Sequence, residues 1–465
     1  MRFAPSPTGP FSLGNARTAL FNWLFAKHEG GEFLLRIEDT DKERSQKKFE
    51  NDILDCLTWL GLNWSNGIYR QSERLAIYEE VLRKLIEEKK AYYCFCKPEE
   101  LETERQVQLS QGLPPRYSGR CRNLDEEETA KRLKNEPTVI RLKVGEREIS
   151  FSDLIRGKVN FDTRLIGDII IAKSFSQPLY NFAVVVDDAE MKISHVIRGE
   201  DHLSNTPKQL LVHEAIGLTA PEYAHLPLIL GPNRKKLSKR YSDKSFGDYH
   251  REGYLREAML NFLVLLGWHP KQDREVMNLE EMIAEFSLKR VQKAGAVFNP
   301  QKLDWLNAFY IKKLAVDDLA DRLKPFVPAK WLENEELFRR AVDVEKERMK
   351  TLSDFPRLAR FFFEPQDYEP GTLIWNKTAK ETILENLKEI LKVLKKLSDK
   401  DFSKSSIEKE IMALAREKGN GETLWPLRVA LSGQEASPGP LDIIHVLGIK
   451  ECIKRIELAI DKLEI

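Results

Sequence analysis

The chain has 465 residues, 42% hydrophobic and 32% charged, with 74 Lys and Arg against 73 Asp and Glu. That length exceeds one ordinary core, so three or four domains are expected. A net charge of +1 excludes a chain that is basic throughout, so any nucleic-acid surface must be local, and no apolar run reaches membrane-spanning length, which points to a cytoplasmic protein with no membrane partner.

Residues 1–4 read as a short strand cut by Pro5. The segment PSPTGPFSLGN (5–15) is too rich in Pro and Gly for a strand or helix, and it feeds an apolar-periodic run. That run predicts a helix over 16–28, ended by Gly30 and Gly31. FLLRIE (33–38) reads as a strand, DTDKERS as a turn, and FENDILDCLTWLGL as an amphipathic helix. A further helix follows over 73–90. This β-α-β-α opening predicts a parallel sheet covered by helices.

Residues 91–165 are polar, carry Cys94, Cys96 and Cys121, and read as an insertion between two halves of the sheet. Three clustered Cys out of 5 suggest a metal rather than a disulfide framework. Zinc usually takes four ligands, so three thiols in a metal-free insertion is the competing reading. IGDIIIA (166–172) and LYNFAVVV (179–186) read as buried strands that resume the sheet, with Asp187 and Asp188 at a strand end. A second phosphate-type loop, GPNRKKLSKR, lies at 231–240. From 241 onward the pattern is almost wholly helical.

A rigid loop at a helix start offers free N–H groups and a favourable dipole to an anion. No Lys-Ser/Thr follows the G-x-x-x-x-G, so 5–15 is not a P-loop. KKLSKR adds Lys side chains as point charges, and Lys236 and Lys239 sit three apart, able to face one anion from a helical turn. In-line substitution at a phosphate draws on both devices, because charge spreads onto the phosphate oxygens in the transition state.

PSPTG-x-x-x-x-G-N-A-R-T-A, R-I-E-D-T-D, V-I-R-G-E-D and K-L-S-K-R, in this order, resemble a class I aminoacyl-tRNA synthetase of the glutamyl branch, and GETLWPLRVALSGQEASPG (421–439) resembles its C-terminal segment. The resemblance implies an α/β Rossmann-like catalytic domain with an inserted acceptor-binding domain, followed by a largely all-α C-terminal half. The expected boundaries are 1–90 and 166–240 for the catalytic halves, 91–165 for the insertion, 241–309 for a helical stem-contact domain and 310–465 for a helical anticodon-binding domain. It implies a glutamate–tRNA ligase. Glutamate attacks the α-phosphate of ATP, bound with Mg2+, and the glutamyl group then passes to the 2′-hydroxyl of the tRNA's terminal adenosine. The tRNA is a glutamate acceptor, a glutamine acceptor, or both, and a monomer is expected. The competing reading is a catalytically weak tRNA-binding homologue, against which Glu38, Arg198 and Lys239 stand intact.

The same resemblance assigns residues. Arg2 and Arg198 hold the substrate's side-chain carboxylate, as a guanidinium fork suits a carboxylate and meets an amide poorly. Glu38 and Tyr180 bind the amino-acid end, with Ser6 in the same stretch. Ser12, Gly14, Asn15 and Lys239 face ATP, and Lys236, Lys239 and Ser12 stabilise the adenylation transition state. Ser12 departs from the family signature, which has its first His there. Tyr117, four before Cys121, stands as a fourth zinc ligand beside Cys94, Cys96 and Cys121. Lys312, Lys313, Arg357, Arg360 and Trp425 are candidates for tRNA phosphates and unstacked bases.

Overall fold

The computed structural model describes residues 1–235, 244–396 and 404–465. They form two compact units, residues 1–251 with 256–300, and residues 252–255 with 301–465. Among the described residues no helix is long and apolar enough to cross a membrane.

The first unit opens with β1 (Arg2–Phe3), α1 (Leu13–His28), β2 (Leu34–Ile37), α2 (Lys47–Leu60), β3 (Ser65–Arg70) and α3 (Leu75–Glu87). The three strands pair in parallel in the order β1-β2-β3. Helix α1 buries 11 of its 16 residues, including the whole run from Ala19 to Ala26, which explains why apolar side chains surround it. It ends as the two glycines predict: Gly30 is left-handed at φ +66, and the N–H groups of Gly30 and Gly31 cap the carbonyls of Lys27 and Ala26.

Then come β4 (Ala91–Cys94), α4 (Pro98–Ser110), α5 (Glu126–Leu133), β5 (Val139–Leu142), the hairpin β6 (Glu148–Asp153) and β7 (Gly157–Asp162), β8 (Ile170–Ser174) and β9 (Gln177–Pro178). Strands β4-β5-β8-β9 make an antiparallel sheet. The IGDIIIA strand is therefore real, over Ile170–Ser174, but it pairs with β5 and not with the parallel strands.

LYNFAVVV is not a strand. Residues Tyr180–Glu190 form helix α6, whose Phe182 to Val186 pack with Tyr78 and Leu82 of α3 and Ile140 and Ile171 of the antiparallel sheet. Packing on several sides leaves no polar face, so the helical period is hidden and the β-branched run mimics a strand. Asp187 and Asp188 accordingly sit on a buried helix, not at a strand end.

Strand β10 (His195–Gly199), α7 (Thr206–Ile216) and β11 (Glu222–Leu226) complete the site-bearing region. Strand β11 pairs in parallel with β10 on one side and, through Tyr223 opposite Asp153, with β6 on the other. The unit closes with β12 (Ile229–Leu230), α8 (Phe246–Arg251), α9 (Arg256–Leu265), α10 (Leu279–Glu285) and β13 (Ala296–Val297).

The second unit is helical, running from α11 (Pro300–Lys313) and α12 (Val316–Leu323) through α13 (Glu335–Glu345), α14 (Phe355–Phe363), α15 (Lys380–Lys396), α16 (Lys404–Lys418), α17 (Asn420–Ser432) and α18 (Pro440–Leu447) to α19 (Ile449–Glu464). Helix α15 buries Ile383, Leu387, Ile390 and Leu394 and packs on α17 and α19. Cys56 of α2 and Cys452 of α19 are buried core thiols, each pushed up by burial to about 12.

Candidate active site

The loop at 5–12 is held by its backbone. The carbonyls of Pro5 and Pro7 accept from the N–H groups of Glu38 and Gln46. Phe11 is buried, donates its N–H to Asp52 at 2.7 Å, and packs edge-on against Phe3 and Phe246. Prolines that cannot donate, carbonyls that accept, and one aromatic anchor fix the loop against β2 and α2. Ser12 then starts α1: its Oγ accepts from the N–H of Asn15 at 3.2 Å, an N-cap bond. That bond uses a lone pair and leaves the hydroxyl proton free to donate. The N–H groups of the first turn and the helix dipole favour an anion at the same place.

This helix start opens into a cavity of about 600 Å³. Its walls bring together Arg2, Ser6, Ser12, Gly14, Asn15, Glu38, Tyr180 and Arg198, all the substrate- and ATP-facing residues expected from sequence that lie among the described residues. Lys236 and Lys239, with the rest of KLSKR, lie outside the described residues.

One wall is a buried ion network. Asp188 on α6 takes Nε of Arg2 at 2.9 Å and Nη1 of Arg36 at 2.7 Å. Arg36 also reaches Glu38 at 3.1 Å, and Asp187 accepts from Arg74, Gln71 and the Tyr78 hydroxyl. Burial disfavours the Asp188 carboxylate, but Arg2 and Arg36 outweigh it and hold the group at about 2. Burial pushes Glu38 the other way, above the usual carboxylate range, with Arg36 and Arg2 opposing. Sequence spacing gave no hint that Asp188 holds both arginines, since the strand reading pointed it elsewhere.

Arg2, Arg36 and Arg74 each pair with Glu38, Asp187 or Asp188, whereas Arg198 makes no ion pair among the described residues, so its positive charge is unmatched. Its guanidinium is buried, Nε reaches His225 and Nη2 reaches Thr206, while Nη1 is buried with no partner among the described residues. A buried, unpaired donor cation in a cavity wall is a receptor for an anion. Tyr180 at the start of α6 faces the same space, its hydroxyl 3.0 Å from Nδ1 of His202. Burial and the nearby Arg198 lower His202 to about 4, so it is neutral at physiological pH.

Residues 1–305 match the family model described as tRNA synthetases class I (E and Q), catalytic domain, and residues 318–460 match an anticodon binding domain. The chain belongs to the glutamyl- and glutaminyl-type class I tRNA synthetases. The glutamate–tRNA ligase 2 of Thermoanaerobacter pseudethanolicus is 44% identical over 99% of this chain and 98% of its own length. That of Thermodesulfovibrio yellowstonii is 43% identical over 99% of both. A crystal structure of a glutamate tRNA ligase from Elizabethkingia meningosepticum in complex with its amino acid superposes with a TM-score of 0.89 at 36% identity, over 99% of both chains.

Two further clusters of this synthetase bear on its partners. In the first unit, the sulfur atoms of Cys94, Cys96 and Cys121 all lie within 4.8 Å of one another. Cys96 and Cys121 are 3.6 Å apart, and the Tyr117 hydroxyl is 3.4 Å from Cys94 and 3.5 Å from Cys96. With zinc–sulfur bonds of about 2.3 Å a tetrahedral edge is about 3.8 Å, so this donor set fits zinc. None of the four lines the 600 Å³ cavity.

In the second unit, Arg357 and Arg360 share a surface hollow with Pro328, Trp331 and Gln434. Trp331 is stacked on Phe363 with ring centroids 4.4 Å apart. Lys312 pairs with Glu347 and Lys313 lies over Phe309. Trp425, expected as a base-stacking candidate, spends its indole N–H on the Thr372 carbonyl at 2.9 Å and packs against Trp375.

Proposed function

We infer that this class I synthetase is a glutamate–tRNA ligase that joins glutamate to tRNA at the expense of ATP, bound with Mg2+. The observation that carries the reading is the unpaired Arg198 cation in a cavity that also holds a helix N-terminus. A free glutamate brings two carboxylates and one ammonium. Its side-chain carboxylate neutralises Arg198, with Arg2 alongside already paired to Asp188, and its ammonium lies toward Glu38 and Tyr180. Ser6 borders the same end.

The α-carboxylate oxygen then attacks the α-phosphorus of ATP. A bond from that oxygen to phosphorus forms as the bond to pyrophosphate breaks. Charge growing on the phosphate meets the first-turn N–H groups at Gly14 and Asn15 and the Ser12 hydroxyl, and we assign Lys236 and Lys239 to the same task. Positioning and charge stabilisation suffice, and no covalent nucleophile of the chain is needed. A hydroxyl of the tRNA's terminal adenosine then takes the glutamyl group and releases AMP.

For tRNA we propose that the hollow at Arg357 and Arg360 meets the anticodon side, as exposed guanidinium groups suit phosphates and the planes of unstacked bases. We expect a cytoplasmic monomer that charges a glutamate acceptor. Aminoacylation with labelled glutamate and separate transcripts of glutamate and glutamine acceptors tests the activity. Charging of neither transcript, with tight tRNA binding retained, would refute the ligase reading.

Ser12→Ala should slow single-turnover adenylate formation, measured with tRNA present, about tenfold, because one neutral hydroxyl donor is lost. It should also cost about 1 kcal/mol of stability as a lost helix cap. A variant as fast as wild type removes the hydroxyl from the reaction while leaving the cap effect in place.

The Cys94, Cys96, Cys121 and Tyr117 cluster is proposed to hold one zinc, which ties the end of β4 to the turn at 117–121. Metal analysis of protein purified without chelator should give about one zinc per chain. Wild type without zinc, or a Cys94→Ser variant with as much, rules the site out.

A further inference from the structure

Three neighbouring strands carry a line of buried polar side chains that ends at the selecting arginine. Arg198 on β10 stands directly opposite His225 on β11, and Asp153 ends β6 on the far side of β11. Asp153, His225 and Thr206 are each 3% exposed or less. Such groups remain buried only when hydrogen-bonded, and here the side chains bond one to the next along the line.

Asp153 is fixed first. Its Oδ1 accepts from the N–H groups of Ile155 at 2.9 Å and Arg156 at 2.7 Å. Its Oδ2 lies 2.6 Å from Nδ1 of His225 and also accepts from the His225 N–H at 3.1 Å. A carboxylate in that position requires the proton of His225 on Nδ1, so Nε2 presents a bare lone pair. Nε2 then receives the Nε–H of Arg198 at 3.2 Å and lies 3.1 Å from the Thr206 hydroxyl, which accepts from Nη2 of Arg198 at 2.7 Å. Nε and Nη2 of the guanidinium are thereby tied to the protein, and Nη1 is left over.

We propose that Asp153 and His225, with Thr206, are positioning residues that fix the tautomer facing Arg198 and so aim its free donor edge at the substrate's side-chain carboxylate, setting the preference for glutamate over glutamine. The proposal rests on the reading that Arg198 receives that carboxylate. A guanidinium free to turn would meet acid and amide with less discrimination. A clamped one offers only donors at one place, which opposes an amide NH2.

Asp153→Asn is the sharp test. Its Oδ1 stays with the N–H groups of Ile155 and Arg156, so its NH2 faces Nδ1 of His225. The ring proton must move to Nε2, where it opposes the Nε–H of Arg198; an Asp-to-Asn change behind a histidine acts in this way in a serine protease. KM values for glutamate and for ATP, and kcat/KM for glutamate against glutamine, are measured for wild type, Asp153→Asn, Thr206→Val, Arg198→Ala and the doubles with Arg198→Ala. Asp153→Asn should raise the KM for glutamate about tenfold, lower the preference for glutamate over glutamine by a similar factor and leave the KM for ATP in place.

In the Arg198→Ala background neither Asp153→Asn nor Thr206→Val should add to the loss, because the group they aim is gone. Additive losses, or a parallel rise in the KM for ATP, identify a structural role and overturn the proposal. An unchanged KM for glutamate in both single variants, beside a raised one in Arg198→Ala, also overturns it. An Arg198→Ala enzyme with normal glutamate kinetics overturns the Arg198 reading itself and the proposal with it. Should Asp153→Asn fail to fold, Thr206→Val decides by the same criteria.

Discussion

Arg198→Ala is expected to raise the KM for glutamate and to lower kcat/KM by about 2–4 kcal/mol, roughly 30- to 1000-fold. Two features of the site set this size. The side chain is buried, so a carboxylate drawn to it leaves water only because a charge receives it. Among the described residues it also makes no ion pair, whereas Asp188 takes Arg2 and Arg36, and Asp187 takes Arg74. Removing Arg2 removes a charge that is already matched, so Arg2→Ala should cost less at the substrate than Arg198→Ala. Equal losses for the two variants, in steady-state kinetics with glutamate varied, contradict the charge count.

Asp188→Asn is expected to destabilise the first unit by about 3–5 kcal/mol, because two buried guanidinium groups lose their shared carboxylate. The pH dependence follows from the depressed value. Folding holds Asp188 at about 2, below its ordinary 3.8. Its contribution is complete above pH 4 and fades as pH falls through the folded value. The stability gap between wild type and Asp188→Asn, followed by denaturant unfolding, should therefore narrow between pH 4 and pH 2. A gap of constant size over that range would show that the two arginines do not depend on the carboxylate.

The sequence conveyed the site unevenly. Arg2, Ser6, Glu38 and Arg198 could be named beforehand because their chemistry lies in the side chain and their motifs place them. The cap at Ser12 was missed, because the apolar run placed the helix start at 16, whereas the helix begins at Leu13. Helix α6 was hidden. The helix propensity penalty of its three valines is at most about 0.7 kcal/mol each, and tertiary burial overrode it while erasing the polar face that marks a helix.

The relay behind Arg198 was hidden for another reason. Nothing local to YAHLPL says which residue of β10 lies opposite His225, since register is set by the whole sheet. Asp187 and Asp188 suffered from both effects, as their meaning depends on a helix that was read as a strand.

Arg17, on the buried helix α1, donates Nη2 to the carbonyl of Pro227 at 2.5 Å and Nη1 to that of Leu266 at 3.2 Å. Glu200 and Asp201 attract its desolvated charge, and among the described residues its hydrogen bonds go to those two carbonyls. During synthesis the ribosome must add the 249 residues that separate Arg17 from Leu266 before the second carbonyl exists. At about 5–20 residues per second that is a wait of roughly 12 to 50 seconds. The adenylating pocket is therefore a late product of translation. Until then the apolar α1 is a nascent segment for chaperones to shield, and a message truncated before codon 266 yields a chain in which Arg17 lacks one of its two carbonyl partners.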